Sequence, residues 1–172
     1  LCGTMSVGKT TLVNALKELE QFKGYKFATE RSQHLMSLGI PLNTDSTLKG
    51  QTVFLAERCG ELMHDSIITD RTILDVMAFT INAKSIPHQD KEAFETYASE
   101  FIREYDYIFY ISPHGIEIED NGVRETDKQY RDLIDFTITT LIKRHGHKAG
   151  TIEKISGSTE ERIQQILNVT KL

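Results

Sequence analysis

The stretch Leu1-Cys2-Gly3-Thr4-Met5-Ser6-Val7-Gly8-Lys9-Thr10-Thr11 decides the fold. Within it, Gly3-x-x-x-x-Gly8-Lys9-Thr10 matches the G-x-x-x-x-G-K-[ST] pattern of a phosphate-binding loop. Two glycines let the backbone turn tightly enough to aim successive N–H groups of Thr4, Ser6, Val7 and Gly8 inward at a phosphate chain. The helix that follows adds the positive end of its dipole, where Thr11 also lies. Lys9 can reach the outer phosphates as a point charge, and the Thr10 hydroxyl suits Mg²⁺. An accidental match in a chain of this length has a probability of roughly 1 in 200. The flanks argue further against accident: apolar Leu1 and Cys2 precede the loop as a strand end would, and Leu12, Val13, Leu16 and Leu19 follow at helical spacing.

Outward from the loop, 172 residues make one domain with a core that needs no staples. A net charge of −5 leaves no basic footprint, which disfavours a nucleic-acid partner. Cys2 and Cys59 are too few for a disulfide framework, so a reducing, cytoplasmic setting is expected. No run of 18 apolar residues and no signal-peptide core occurs, which argues against a membrane partner. The chain opens at Leu1 rather than Met, and the start of the first strand is expected upstream. A homo-oligomer is compatible with the sequence.

Along the chain, a first helix is expected from Gly8 to Glu20, a short strand over Tyr25–Thr29, and a helix from Ser32 to Leu38 that stops at Gly39. A long helix from Ser46 carries Val53, Leu55, Ala56, Cys59, Leu62 and Met63 on or near one face. Ser66–Thr69 reads as a strand, followed at once by a helix with Ile73, Leu74, Val76, Met77 and Phe79. Asp90–Tyr105 reads as a helix with Phe94, Tyr97, Ala98, Phe101 and Ile102 inward. Tyr107–Ile111 is the most strand-like segment, suited to burial on both faces. A helix from Asp127 to His145 turns Tyr130, Leu133, Ile134, Ile138, Leu141 and Ile142 inward. Thr151–Ile155 is the last strand, and Ser158 or Thr159 caps a final helix with Glu161 or Glu160. Strands alternating with helices imply an α/β fold: a five-stranded parallel sheet flanked by helices in three layers. Ligands then gather at the carboxyl ends of the strands.

That rule draws attention to Glu30-Arg31, Asp70-Arg71 and the segment after Ile111. Asp70 is placed to assist Mg²⁺ with Thr10, or to cap the helix that starts at Thr72. Arg71 offers a fork to a substrate phosphate, or an ion pair with Glu30 or Asp75. Asp75, four residues on, can hold that guanidinium or a sugar hydroxyl. Glu30 is a candidate general base, or simply an acid at a helix start. Residues 112–131 read as a lid that brings Arg124 onto the phosphates, with Arg131 a candidate substrate contact, or as a solvated loop. The six histidines show no metal-ligand spacing.

Together, Gly3 to Thr11, Thr29-Glu30-Arg31, Thr69-Asp70-Arg71-Thr72-Ile73-Leu74-Asp75, and Gly122-Val123-Arg124 with Arg131 resemble the small phosphate-loop kinases and ATPases. The pattern is similar to the family of the nicotinamide riboside kinase domain of bifunctional NAD-biosynthesis regulators, and is related to nucleoside and nucleoside monophosphate kinases. The resemblance implies the phosphate-loop NTPase fold, ATP as phosphoryl donor with Mg²⁺, and roles on phosphate or metal for Lys9, Thr10, Asp70, Arg71 and Arg124. The expected activity is transfer of the γ-phosphoryl group to a small nucleoside or nucleoside monophosphate. The Glu-Pro and tryptophan signals of deoxynucleoside kinases are missing. The alternatives are a kinase acting on modified bases in DNA and a nucleotide-dependent switch.

Overall fold

A computed structural model describes residues 1–29, 31–117 and 127–172 of the chain. In order these form α1 (Lys9–Lys17), β1 (Lys26–Ala28), α2 (Ser32–Ser37), α3 (Leu48–Glu61), β2 (Ile67–Thr69) and α4 (Ile73–Asn82). They continue as α5 (His88–Ala98), β3 (Tyr107–Ile111), α6 (Lys128–His145), β4 (Thr151–Ile155) and α7 (Thr159–Thr170). Each element starts within a few residues of the position the sequence predicts. Polar caps explain several starts: the Thr47 side chain accepts from Gly50 N–H, Asp127 from Gln129 N–H, and Ser158 exchanges bonds with Glu161.

β1 pairs parallel with β2, Lys26 opposite Ile67, and β3 pairs parallel with β4, Tyr107 opposite Thr151. Between the two pairs lie Leu1 and Cys2. Cys2 N–H donates to the Phe109 carbonyl and its own carbonyl accepts from Ile111 N–H, both at 2.9 Å, while the Leu1 nitrogen donates to Thr69 at 2.7 Å. Where five strands are expected, the described residues hold four, in two parallel pairs, with a single bridge at Cys2. A cavity of about 210 Å³ opens between β2 and β3 below Leu1, lined by Leu16, Ile67, Phe109 and Ile166 together with His64, Asp65 and Asp106.

The strand β3 divides the core. Ile108 and Tyr110 face a cluster built by α4, α5 and α6, whereas Phe109 and Ile111 face one built by α1 and α7. The alternation follows from the two-residue period of a strand buried on both sides. Four apolar residues, Tyr97, Leu133, Met63 and Ala56, depart from their expected burial. Tyr97 is 63% exposed, because α5 gives way at Ser99 to a tighter 3-10 turn and the ring lies edge-on against Phe101 at the surface. Leu133 is 48% exposed, since the inward stripe of α6 runs Tyr130, Ile134, Ile138 and Leu141. Met63 lies past the end of α3 and is exposed. On α3 Ala56 faces solvent, while Arg58 is buried and pairs with Glu61 at 2.5 Å.

Candidate active site

The loop from Gly3 to Gly8 rises between the carboxyl ends of β2 and β3 and runs straight into α1. At Gly3 a Cβ would lie 2.6 Å from the Ile111 carbonyl oxygen, so only glycine lets the loop leave the sheet there. Gly8, with φ +81°, makes the left-handed turn that starts α1. Ser6 also adopts a positive φ, 58°.

The loop is anchored from behind by α4. Asp75, wholly buried, accepts Gly3 N–H on Oδ1 at 3.0 Å, and on Oδ2 the N–H and hydroxyl of Thr72, each at 2.8 Å. Both carboxylate oxygens are engaged, so Asp75 ties the start of the loop to the start of α4. Thr72, not Asp70, occupies the cap position of α4, which leaves Asp70 free of that duty.

Thr10 donates its hydroxyl to Asp70 Oδ2 in a short hydrogen bond. Asp70 is 1% exposed, and its Oδ1 is buried with no partner among the described residues. A buried carboxylate oxygen left without a donor is costly unless a cation completes it. A hydroxyl and a single carboxylate, with further oxygens from phosphate and water, are the donor set Mg²⁺ accepts, so these residues fit the ion the sequence implies. No group of three or more His, Cys, Asp or Glu suited to a metal occurs among the described residues.

Lys9 is buried and donates to the carbonyls of Gly3 and Thr4, both at 2.7 Å. Burial, reinforced by Arg71 nearby, pulls its ammonium down to about 8 against the opposing pull of Asp75 and Asp70. Arg71 lies over the ring of Phe79, 5.2 Å from its centroid, a cation–π contact that holds the guanidinium at the crevice. From the opposite wall Arg162 of α7 donates to the Val7 carbonyl at 2.8 Å, and burial lowers its guanidinium from the ordinary arginine value.

These groups line a crevice of about 410 Å³ that takes in residues 5–11, Ser32, Asp70, Arg71, Phe79 and Arg162. Beside it, sharing Ser32, Arg71 and Phe79, lies a recess of about 40 Å³ closed by Ser46, Gln51, Phe54 and Val76. Gln51 is 3% exposed and the Ser46 hydroxyl is buried without a partner.

Of the residues expected at the site, Ser6, Val7, Gly8, Lys9, Thr10, Thr11, Asp70 and Arg71 meet in the crevice. Gly3 and Thr4 lie behind it; the Thr4 hydroxyl turns to the Met5 sulfur and only the carbonyls of the two residues serve, by holding Lys9. Arg131 is not in the crevice. It is buried and donates to the carbonyl of Ile116, bracing a residue that does line it. Glu30 and Arg124, with the centre of the expected lid, lie outside the described residues. Arg162 and the pair Phe79 and Gln51 escape a sequence reading. The one signal for Arg162 was its place just after the carboxyl end of the last strand.

The sequence profile of the AAA domain family matches residues 1–162. The chain belongs to the AAA domain family. The match runs from the loop through α7 as far as Arg162, and it is consistent with a small phosphate-loop kinase. No curated protein matches the sequence of this AAA domain. Among solved structures it is similar to deoxyadenosine kinase from M. mycoides with bound dCTP, with a TM-score of 0.67 at 18% identity, over 99% of this chain and 96% of that one. It is equally similar to the same enzyme with products dCMP and a flexible dCDP bound, over 98% of this chain and 95% of that one. At that identity the likeness is one of fold: the AAA domain has the α/β architecture of a phosphate-loop kinase. No helix among the described residues is long and apolar enough to cross a membrane.

Proposed function

We propose that this AAA domain is a Mg-ATP-dependent kinase that transfers the γ-phosphoryl group to a hydroxyl or phosphate of a small nucleoside or nucleoside monophosphate. The observation that carries the proposal is the junction of loop and strand end: the Thr10 hydroxyl on one oxygen of Asp70, and the other oxygen of that buried carboxylate without a partner. A cation held at the loop would satisfy that oxygen. The M. mycoides enzyme of like fold is a deoxyadenosine kinase, whose structures hold dCTP, dCMP and dCDP, and this favours a nucleoside-type acceptor.

The backbone N–H groups of residues 6–10 and Lys9 bind the phosphates, and Thr10 and Asp70 would hold Mg²⁺. The ion, when bound, neutralises charge on the phosphate oxygens. Arg71, steadied by Phe79, faces the group in transfer. The recess of Phe54, Phe79 and Gln51 takes the acceptor, two aromatic faces for a planar ring and a buried amide for its polar edge. It must widen to do so. An acceptor oxygen bonds to the γ-phosphorus as the bond to the β,γ-bridging oxygen breaks, ADP leaves, and the acceptor proton passes to a base. Glu30 is assigned as that base from its place after the second strand, and Arg124 as a lid residue from the charged, glycine-containing segment that carries it. The bridge at Cys2 is taken as the end of a fifth, central strand, supported by the slot between β2 and β3. Free Cys2 and Cys59 suit a reducing cytoplasm.

The test is ADP release from Mg-ATP with a panel of nucleosides, nucleoside monophosphates and single-stranded DNA, with Lys9→Ala as control. Stimulation by one small acceptor, lost in the variant, is the expected result. Nucleotide binding without stimulation by any member would overturn the kinase and leave a nucleotide-dependent switch.

A further inference from the structure

The far end of the chain contributes a cation to the phosphate loop. Arg162, the fourth residue of α7, is 8% exposed and reaches back 155 residues to donate from Nη1 to the Val7 carbonyl. A Cβ at Gly8 would stand 3.2 Å from the same Nη1, so the guanidinium is packed against the turn where the loop enters α1. Its Nε is buried with no partner, and no carboxylate among the described residues forms an ion pair with it. The side chain also lines the crevice beside Thr10, Asp70 and Arg71.

Packing alone does not account for this arrangement. α7 is already held to the sheet by Ile163, Ile166 and Leu167 against Leu12, Leu16 and Ile155. A guanidinium taken out of water against one neutral carbonyl is a poor fastener, because desolvation of the charge outweighs the single bond. The same charge becomes favourable once an anion fills the loop.

We propose that Arg162 is a nucleotide-positioning residue: it fixes the Val7 carbonyl, and with it the orientation of the N–H groups of Gly8, Lys9 and Thr10, and places an uncompensated positive charge beside the phosphate chain. The proposal rests on the crevice being a nucleotide site. Its consequence is reciprocal: nucleotide draws α7 onto the loop, and a docked α7 tightens nucleotide.

Affinity for Mg-ADP, measured by calorimetry on the full chain, tests it with Arg162→Ala, Arg162→Gln and Arg162→Lys. The Ala and Gln variants are expected to bind about tenfold more weakly and the Lys variant within about threefold. In turnover, KM for ATP rises while KM for the acceptor is unchanged, and the nucleotide-free melting temperature moves by no more than about 4 °C. A role in packing alone would lower the melting temperature and leave affinity untouched. The Gln variant removes the charge and, two bonds shorter, the Val7 bond while keeping a polar side chain, and the Lys variant keeps the charge, so the pair decides the matter even if the Ala variant does not fold. Binding by the Gln variant within about twofold of wild type would overturn the proposal. If wild type itself shows no affinity, the nucleotide site fails and the proposal with it; if wild type binds and the variants match it, only the role of Arg162 falls.

Discussion

Nucleotide affinity is expected to fall steeply as the pH rises above about 8, and Lys9 is the cause. Burial strips water from its ammonium and Arg71 repels it, so in the free protein it gives up its proton near pH 8 despite Asp75 and Asp70. A phosphate chain binds the charged form and restores the proton. The free protein keeps about nine-tenths of that proton at pH 7, about half at pH 8 and about one-tenth at pH 9. Binding therefore takes up about 0.1 proton at pH 7 and about 0.9 at pH 9, and Kd weakens about tenfold between them, or about 1.4 kcal/mol. The sign for folding is opposite. A base with a lowered pKa destabilises the folded protein fully below about pH 8, and that penalty is relieved toward the ordinary lysine value of about 10.4, so the free protein gains stability in the window where it loses affinity. Titration calorimetry with Mg-ADP in two buffers of different ionisation enthalpy reads the proton number directly. Lys9→Arg, whose charge does not titrate, should flatten the profile. Proton uptake near zero at about pH 9, with Kd unchanged from about pH 7, would refute the assignment of Lys9 as the phosphate-binding cation with a lowered pKa.

Two further outcomes follow from the carboxylates. Asp75→Ala leaves the N–H groups of Gly3 and Thr72 buried without an acceptor and should cost about 3 kcal/mol in urea denaturation; an unchanged midpoint would return Asp75 to the substrate side. Asp70→Asn should bind nucleotide in EDTA as the wild type does but lose the tightening that Mg²⁺ provides, and a variant still tightened to the wild-type degree would remove Asp70 from the metal site.

Much of the fold was legible because its signals are local. The nearly continuous β-branched and aromatic run Tyr107–Ile111, the Ser158 and Glu161 box, and the glycines of the loop each act within a few residues, and each stands where the sequence predicts. Helix faces were read less well. Leu133 and Tyr97 are apolar and suitably spaced, yet they face outward, since which arc of a helix is buried depends on its neighbour and on the 3-10 turn that ends α5. The buried Arg58 shows the converse, a charge carried inward by its pairing with Glu61.

At the site, the sequence by itself determined the phosphate loop, its lysine and hydroxyl, and the strand-end Asp70, because tight turns and strand ends impose their residue types locally. Only the tertiary structure decided that Asp75 anchors Gly3 across 72 residues, that Arg131 braces Ile116, and that Arg162 arrives from 155 residues away. The physical reason is that a charged side chain has several compatible partners at any spacing, and burial selects among them: the carboxylate or guanidinium that loses its water must take whichever donor or acceptor the packed sheet and helices bring within about 3 Å.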